Sequence, residues 1–249
     1  MAVLVEACVD AIDAALEAER GGAGRIELCG ELLQGGVTPS AGLIGAVRDR
    51  VRIPLFVLIR PRTGDFLYTS HERDVMHRDI AMAKSLGAAG VVLGVLTVAG
   101  DVDGDATREL IAVARPMAVT FHRAFDFARD QDTALDALLQ LGADRVLTAG
   151  GSATALDGAP AIRRLVQRAG TALTVLAGGS ITAENVAEVT RAGGVTEVHV
   201  RGSEPIESLM RYRSTTTTLS RQPPPSDYAR IVTRAHAIRR IVSAASANG

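Results

Sequence analysis

Tryptophan is absent, aromatic residues make up 3% of the chain, and lysine occurs once, at position 84. Each scarcity removes a class of chemistry. With no indole rings and few other aromatics, there is no broad platform on which successive bases stack. The single lysine falls inside a helical pattern running from His71 to Leu86. No lysine therefore stands at a strand end, which argues against lysine-dependent aldolase or pyridoxal chemistry. Cysteine is nearly as scarce, with two in 249 residues. That is too few for a secreted disulfide scaffold, and a chain this long can bury enough core to need no such staple. The formal net charge is −1, and no basic stretch marks a nucleic-acid or anionic membrane surface. The longest run without a charged residue, 85–100, is too short to span a bilayer and is rich in glycine. Glu6 and Asp10 stand where a signal peptide would carry its basic region. The expectation is a cytoplasmic protein with neither a nucleic-acid nor a membrane partner.

What the chain does have is repeated punctuation. Gly22-Ala23-Gly24-Arg25-Ile26 ends one helical pattern and opens an apolar run. Gly87-Ala88-Ala89-Gly90-Val91, Gly142-Ala143-Asp144-Arg145-Val146 and Gly193-Gly194-Val195-Thr196-Glu197 do the same. Glycine just past a helix end allows the left-handed turn, and the apolar run that follows is the next strand. The pattern predicts eight strands: Val3–Cys8, Arg25–Cys29, Leu55–Arg60, Gly90–Leu96, Ala118–His122, Arg145–Thr148, Leu173–Ala177 and Glu197–Arg201. Helical patterns separate them, and a last helix is predicted from about Ser226 to Ala247. Strand–helix alternation over this length predicts a (β/α)8 TIM barrel, with residues 1–249 as one domain. An open doubly wound sheet is the alternative. No GxGxxG follows the first strand, so no nucleotide cofactor is expected. Residues 214–226, with four threonines and three prolines in runs, read as a linker or an arm against a partner subunit.

In such a barrel, function sits at the C-terminal ends of the strands. The first two strands deliver Glu6 and Cys8, then Glu27 and Cys29, at matching positions. Strand three delivers Arg60, followed by Arg62 and Asp65. Strand five gives His122 and Arg123, then Asp126, and strand six gives Thr148. Gly178 and Gly179 follow strand seven, while strand eight ends on His199 and Arg201. Burying many unpaired polar groups at one end is costly, so together they imply a polar pocket. Two groupings stand out. Cys8 and Cys29 form a pair of soft sulfurs suited to Cu(I), or alternatively two small thiols packed as hydrophobes. Glu27 and His122 are candidates for acid–base catalysis. Arg60 and Arg201 would anchor an anionic substrate, with Glu6, Arg62, Asp65, Arg123, Asp126, Thr148, Gly178, Gly179 and His199 around it. The Ala-Gly-Gly-Ser turns at 149–152 and 177–180 read as a phosphate cradle or as plain tight turns.

Several stretches together resemble the CutC family of copper homeostasis proteins. They are Glu6-Ala7-Cys8-Val9-Asp10, Arg25-Ile26-Glu27-Leu28-Cys29, Gly35-Gly36-Val37-Thr38-Pro39-Ser40, Ile59-Arg60-Pro61-Arg62 and Gly64-Asp65-Phe66-Leu67-Tyr68. Val119-Thr120-Phe121-His122-Arg123-Ala124-Phe125-Asp126, Arg145-Val146-Leu147-Thr148 and Met210-Arg211-Tyr212-Arg213 extend the likeness over nearly the whole chain. The resemblance implies a cytosolic TIM barrel, a homodimer or homotetramer, with a role in copper handling. It also implies Cu(I) held by Cys8 and Cys29. The alternative is an enzyme acting on a small polar or anionic compound. The chain departs from the family pattern at Ala177-Gly178-Gly179-Ser180, at Val200-Arg201-Gly202 and after Arg213.

Overall fold

The structure is a computed structural model and describes residues 3–217 and 227–246. Eight parallel strands close into a barrel in chain order, β1 to β8, and the seam joins β1 to β8. The strands are β1 (Leu4–Val9), β2 (Arg25–Leu28), β3 (Leu55–Leu58), β4 (Gly90–Leu93), β5 (Ala118–Phe121), β6 (Arg145–Thr148), β7 (Thr174–Gly178) and β8 (Glu197–Val200). Between them run α1 (Ile12–Arg20), α2 (Ala41–Arg48), α3 (Ser70–Ser85), α4 (Gly104–Ala114), α5 (Gln131–Leu141), α6 (Ala159–Ala169) and α7 (Val186–Gly193).

Local chemistry sets the helix ends. Thr69 and Glu72 form a reciprocal capping box at the start of α3, and Ser40 accepts from the Leu43 amide to start α2. Gly142, at φ 73°, ends α5 in the left-handed conformation that the sequence punctuation predicted.

Period-two alternation sorts the strand residues into two cores. Val5, Ala7 and Val9 of β1, and Leu55, Val57 and Ile59 on and just beyond β3, pack outward against the helices. Cys8, Phe56, Leu58 and Val92 point inward with Cys29 to form a small separate cluster inside the barrel. The helix-facing core is the larger by far and carries most of the apolar burial.

The structure corrects the C-terminal expectation. Two antiparallel strands, β9 (Ser203–Glu207) and β10 (Ala229–Thr233), form a separate ribbon after the barrel closes. The final helix, α8 (Ala235–Ser246), therefore starts well after the predicted Ser226. Residues 218–226 of the Thr- and Pro-rich segment lie outside the described residues. Among the described residues, no helix is long and apolar enough to cross a membrane.

Candidate functional site

The barrel interior begins with an ionic floor at the N-terminal ends of the strands. Glu6 is fully buried and takes hydrogen bonds from Arg25 and from His199, whose Nδ1 lies 2.8 Å from Glu6 Oε1. Arg25 reaches Glu197 at 2.5 Å, and Arg145 reaches the same carboxylate at 3.1 Å. Both guanidinium groups stack over the Phe56 ring. Burial pushes the Glu6 carboxyl up, but the His199 hydrogen bond and the Arg25 charge outweigh it and hold it at about 2. Burial works against a charged His199, yet Glu27, Cys8 and Glu6 raise it well above the ordinary imidazole value.

Above this floor lies a cavity of about 120 Å³. One wall is sulfur and carboxylate. Cys8 Sγ and Cys29 Sγ are 3.6 Å apart as free thiols, and Cys29 Sγ lies 3.3 Å from Glu27 Oε1. Donor atoms of Cys8, Glu27 and His199 all fall within 4.8 Å of one another. The hydrogen bond from Cys29 draws Cys8 down to about 6 against the opposing effect of burial, whereas burial drives Cys29 well up. Burial also lifts Glu27 to about 8, and its Oε2 makes no hydrogen bond.

A second wall is cationic and aromatic. Arg60 is 7% exposed, and its guanidinium donates to the backbone carbonyls of Gln34, Gly36 and Gly64. His122 follows β5 and is 5% exposed. Its Nδ1 accepts from the Ala124 amide, while its Nε2 has no partner. Burial, then the nearby Arg60 charge, lowers His122 to about 3. Phe66 lies between them, 5.1 Å from the Arg60 guanidinium and 5.0 Å from the His122 ring. Gly94 makes room for this imidazole, since a Cβ there would sit 2.6 Å from ring atoms.

The family model for the CutC family matches residues 3–204. A curated relative from Mus musculus, "Copper homeostasis protein cutC homolog", is 44% identical over 238 residues, covering 96% of this chain and 88% of that protein. The chain belongs to the CutC family. A CutC family protein of Chromobacterium violaceum is 45% identical over 84% of this chain and 85% of its own length. The crystal structure of CutC from Streptococcus agalactiae superposes with a TM-score of 0.76 at 32% identity, covering 79% of this chain and 97% of that one. Thiamine phosphate pyrophosphorylase from Pyrococcus furiosus, with a TM-score of 0.60 at 16% identity, shares the fold alone.

Within this CutC chain, the cavity brings together Cys8, Cys29, Glu27, Arg60, His122, Arg123 and His199. The other expected site residues lie elsewhere. Glu6 is part of the floor beneath the cavity, held by Arg25 and His199. Arg62 is spent on Asp65 and Glu72 at the surface. Arg201, just beyond the end of β8 at Val200, lines a separate groove with Asp10 and Glu31. Asp126 explains the glycine turn after β6. Its carboxylate accepts from the Thr148 hydroxyl and from the Ala149 and Gly151 amides, so a side chain already fills the expected phosphate cradle. Gly178 is packing space, since a Cβ there would lie 2.5 Å from Leu147 and 3.2 Å from His199. Gly179 sits at φ 124° against Ala149.

The sequence reading passed over Arg25 and Arg145. Both share strand parity with inward residues, Glu27 and Leu147, so alternation alone would have turned them inward.

Proposed function

We propose that this protein binds Cu(I) as cargo in the cytoplasm, as a homodimer or homotetramer, through Cys8 and Cys29. The observation that carries the reading is the 3.6 Å approach of the two free thiols. The donor set fits the ion, because soft sulfur favours Cu(I) and imidazole is a compatible third ligand. Glu6 holds His199 by Nδ1, leaving the other ring nitrogen for a ligand, as carboxylate–histidine pairs do at metal sites. Reduced protein should take up Cu(I) in competition with a chromophoric chelator, and the Cys8→Ser/Cys29→Ser variant should lose this while remaining folded. A double variant that titrates like the parent returns the thiols to simple packing.

A second reading, an enzyme working at the same mouth, is favoured by the buried Glu27 Oε2 and His122 Nε2, neither of which makes a hydrogen bond, although Glu27 Oε2 lies 3.7 Å from His199 Nδ1. In it, Glu27 moves a proton and His122 donates to a developing negative charge. Turnover in an activity screen of small polar compounds, lost in Glu27→Gln, tests it.

A further inference from the structure

The two walls of the cavity are chemically opposite, and the copper reading uses only one of them. We propose that the other wall binds a small organic carboxylate, which accepts a hydrogen bond from His122 Nε2 and balances the charge of Arg60, with Arg123, already paired with Asp126, as a further donor. The proposal shares its cavity with the enzyme reading but depends on neither turnover nor copper.

Three observations carry it. Arg60 is buried, yet its partners are carbonyls, and among the described residues it forms no ion pair. A cation withdrawn from water with no counter-charge is expensive, and carbonyl dipoles return only part of the loss. Secondly, the tautomer of His122 is fixed. Its Nδ1 accepts the Ala124 amide, so in the neutral ring the proton is on Nε2. That donor is buried and without a hydrogen-bond partner, and His122 lines the cavity. Thirdly, Arg123 lines the same cavity, pairs with Asp126 through Nε at 2.8 Å and, among the described residues, makes no other hydrogen bond from its guanidinium.

Size and shape narrow the ligand. A volume of about 120 Å³ is roughly that of four waters in the liquid, so a molecule of a few non-hydrogen atoms fits. Phe66, Leu58 and Leu147 give a short apolar tail a place to lie. Phosphate is the poorer match. Barrels usually hold it on backbone amides at a glycine turn, and here the Asp126 carboxylate takes the Ala149 and Gly151 amides.

The test uses the full chain, reduced and metal-free, titrated with propionate, with neutral propionamide and with inorganic phosphate, followed by NMR. Propionate should bind saturably and shift the His122 Nε2–H signal, while propionamide should bind at least about tenfold more weakly. His122→Phe and Arg123→Gln should each weaken propionate binding, the former by about tenfold or more. Propionamide or phosphate binding as well as propionate overturns the proposal, as does a propionate affinity unchanged in both variants. If His122→Phe does not fold, Arg123→Gln and the propionamide comparison decide. Cu(I) uptake by the parent is read separately by chelator competition, so propionate binding without Cu(I) uptake overturns only the copper reading, and Cu(I) uptake without propionate binding overturns only this one.

Discussion

Glu6 and His199 face each other across the seam that closes the barrel. They are paired residues on β1 and β8, and the imidazole Nδ1 sits 2.8 Å from the carboxylate. The same carboxylate holds Arg25 from β2, so one buried side chain ties three consecutive strands around the seam.

Glu6→Gln should therefore destabilise the fold strongly. It leaves the Arg25 and His199 charges short of a partner in a buried site, and breaking such a pair costs about 3–5 kcal/mol. Urea unfolding measures it. The Arg25→Met/Glu6→Gln pair should recover part of the loss, and a single-variant loss below about 1 kcal/mol would show the network to be dispensable.

Gly94→Ala tests the space under His122. Its Cβ would meet the ring at 2.6 Å, so either the ring or the strand end has to move. The expected cost is about 1–3 kcal/mol, with a shifted His122 side-chain resonance. Gly104, where nothing lies within 4 Å of an added Cβ, is the control and should change little. Equal effects at both positions would contradict the packing argument.

His122 also gives stability a pH dependence of known sign. Its value is 6.5 in the ordinary state and about 3 when folded. Between those values the unfolded chain binds a proton that the native protein refuses. Stability from this group is thus fully present above about pH 6.5 and declines as pH falls towards 3, by roughly 1.4 kcal/mol per pH unit. Comparing the pH profile of unfolding with that of His122→Asn isolates the contribution. Superimposable profiles would mean that the native imidazole titrates normally.

Asp126→Asn should loosen the turn after β6. The carboxylate accepts from two backbone amides and one hydroxyl and pairs with Arg123 at 2.8 Å. Hydrogen bonds to a charged group contribute about 1.5–3 kcal/mol each. Amide exchange at Ala149 and Gly151 should speed up, and unchanged exchange rates would deny Asp126 this role.

The barrel was legible because its signals are local. Glycine punctuation marked four of the eight strands, and period-two alternation puts Phe56 and Leu58 on one face of β3 and Val57 and Ile59 on the other. The ribbon of β9 and β10 was not legible. Its strands are mostly half-buried with no clean alternation, and their pairing spans more than twenty residues, so neither burial nor proximity announces it. Ala229–Thr233 also runs into an Ala- and Arg-rich stretch that reads as helix. At the cavity, residue types were legible but partners were not. Nothing near Asp126 in the sequence shows that the Gly150-Gly151 turn would come round to its carboxylate, and strand alternation could not place Arg201, which follows the last residue of β8.

The Arg25, Arg145 and Glu197 floor, capped by Phe56, has a kinetic consequence. It makes the barrel a blind vessel. Whatever reaches the thiols enters and leaves by the same opening, so exchange is a swap at one doorway and not passage through a tunnel. The segments framing that opening are at Leu32–Gln34, at Phe66 and at Arg123–Phe127. On the Cu(I) reading proposed above, those segments would set the pace of exchange, and an acceptor of the ion would have to approach that same rim.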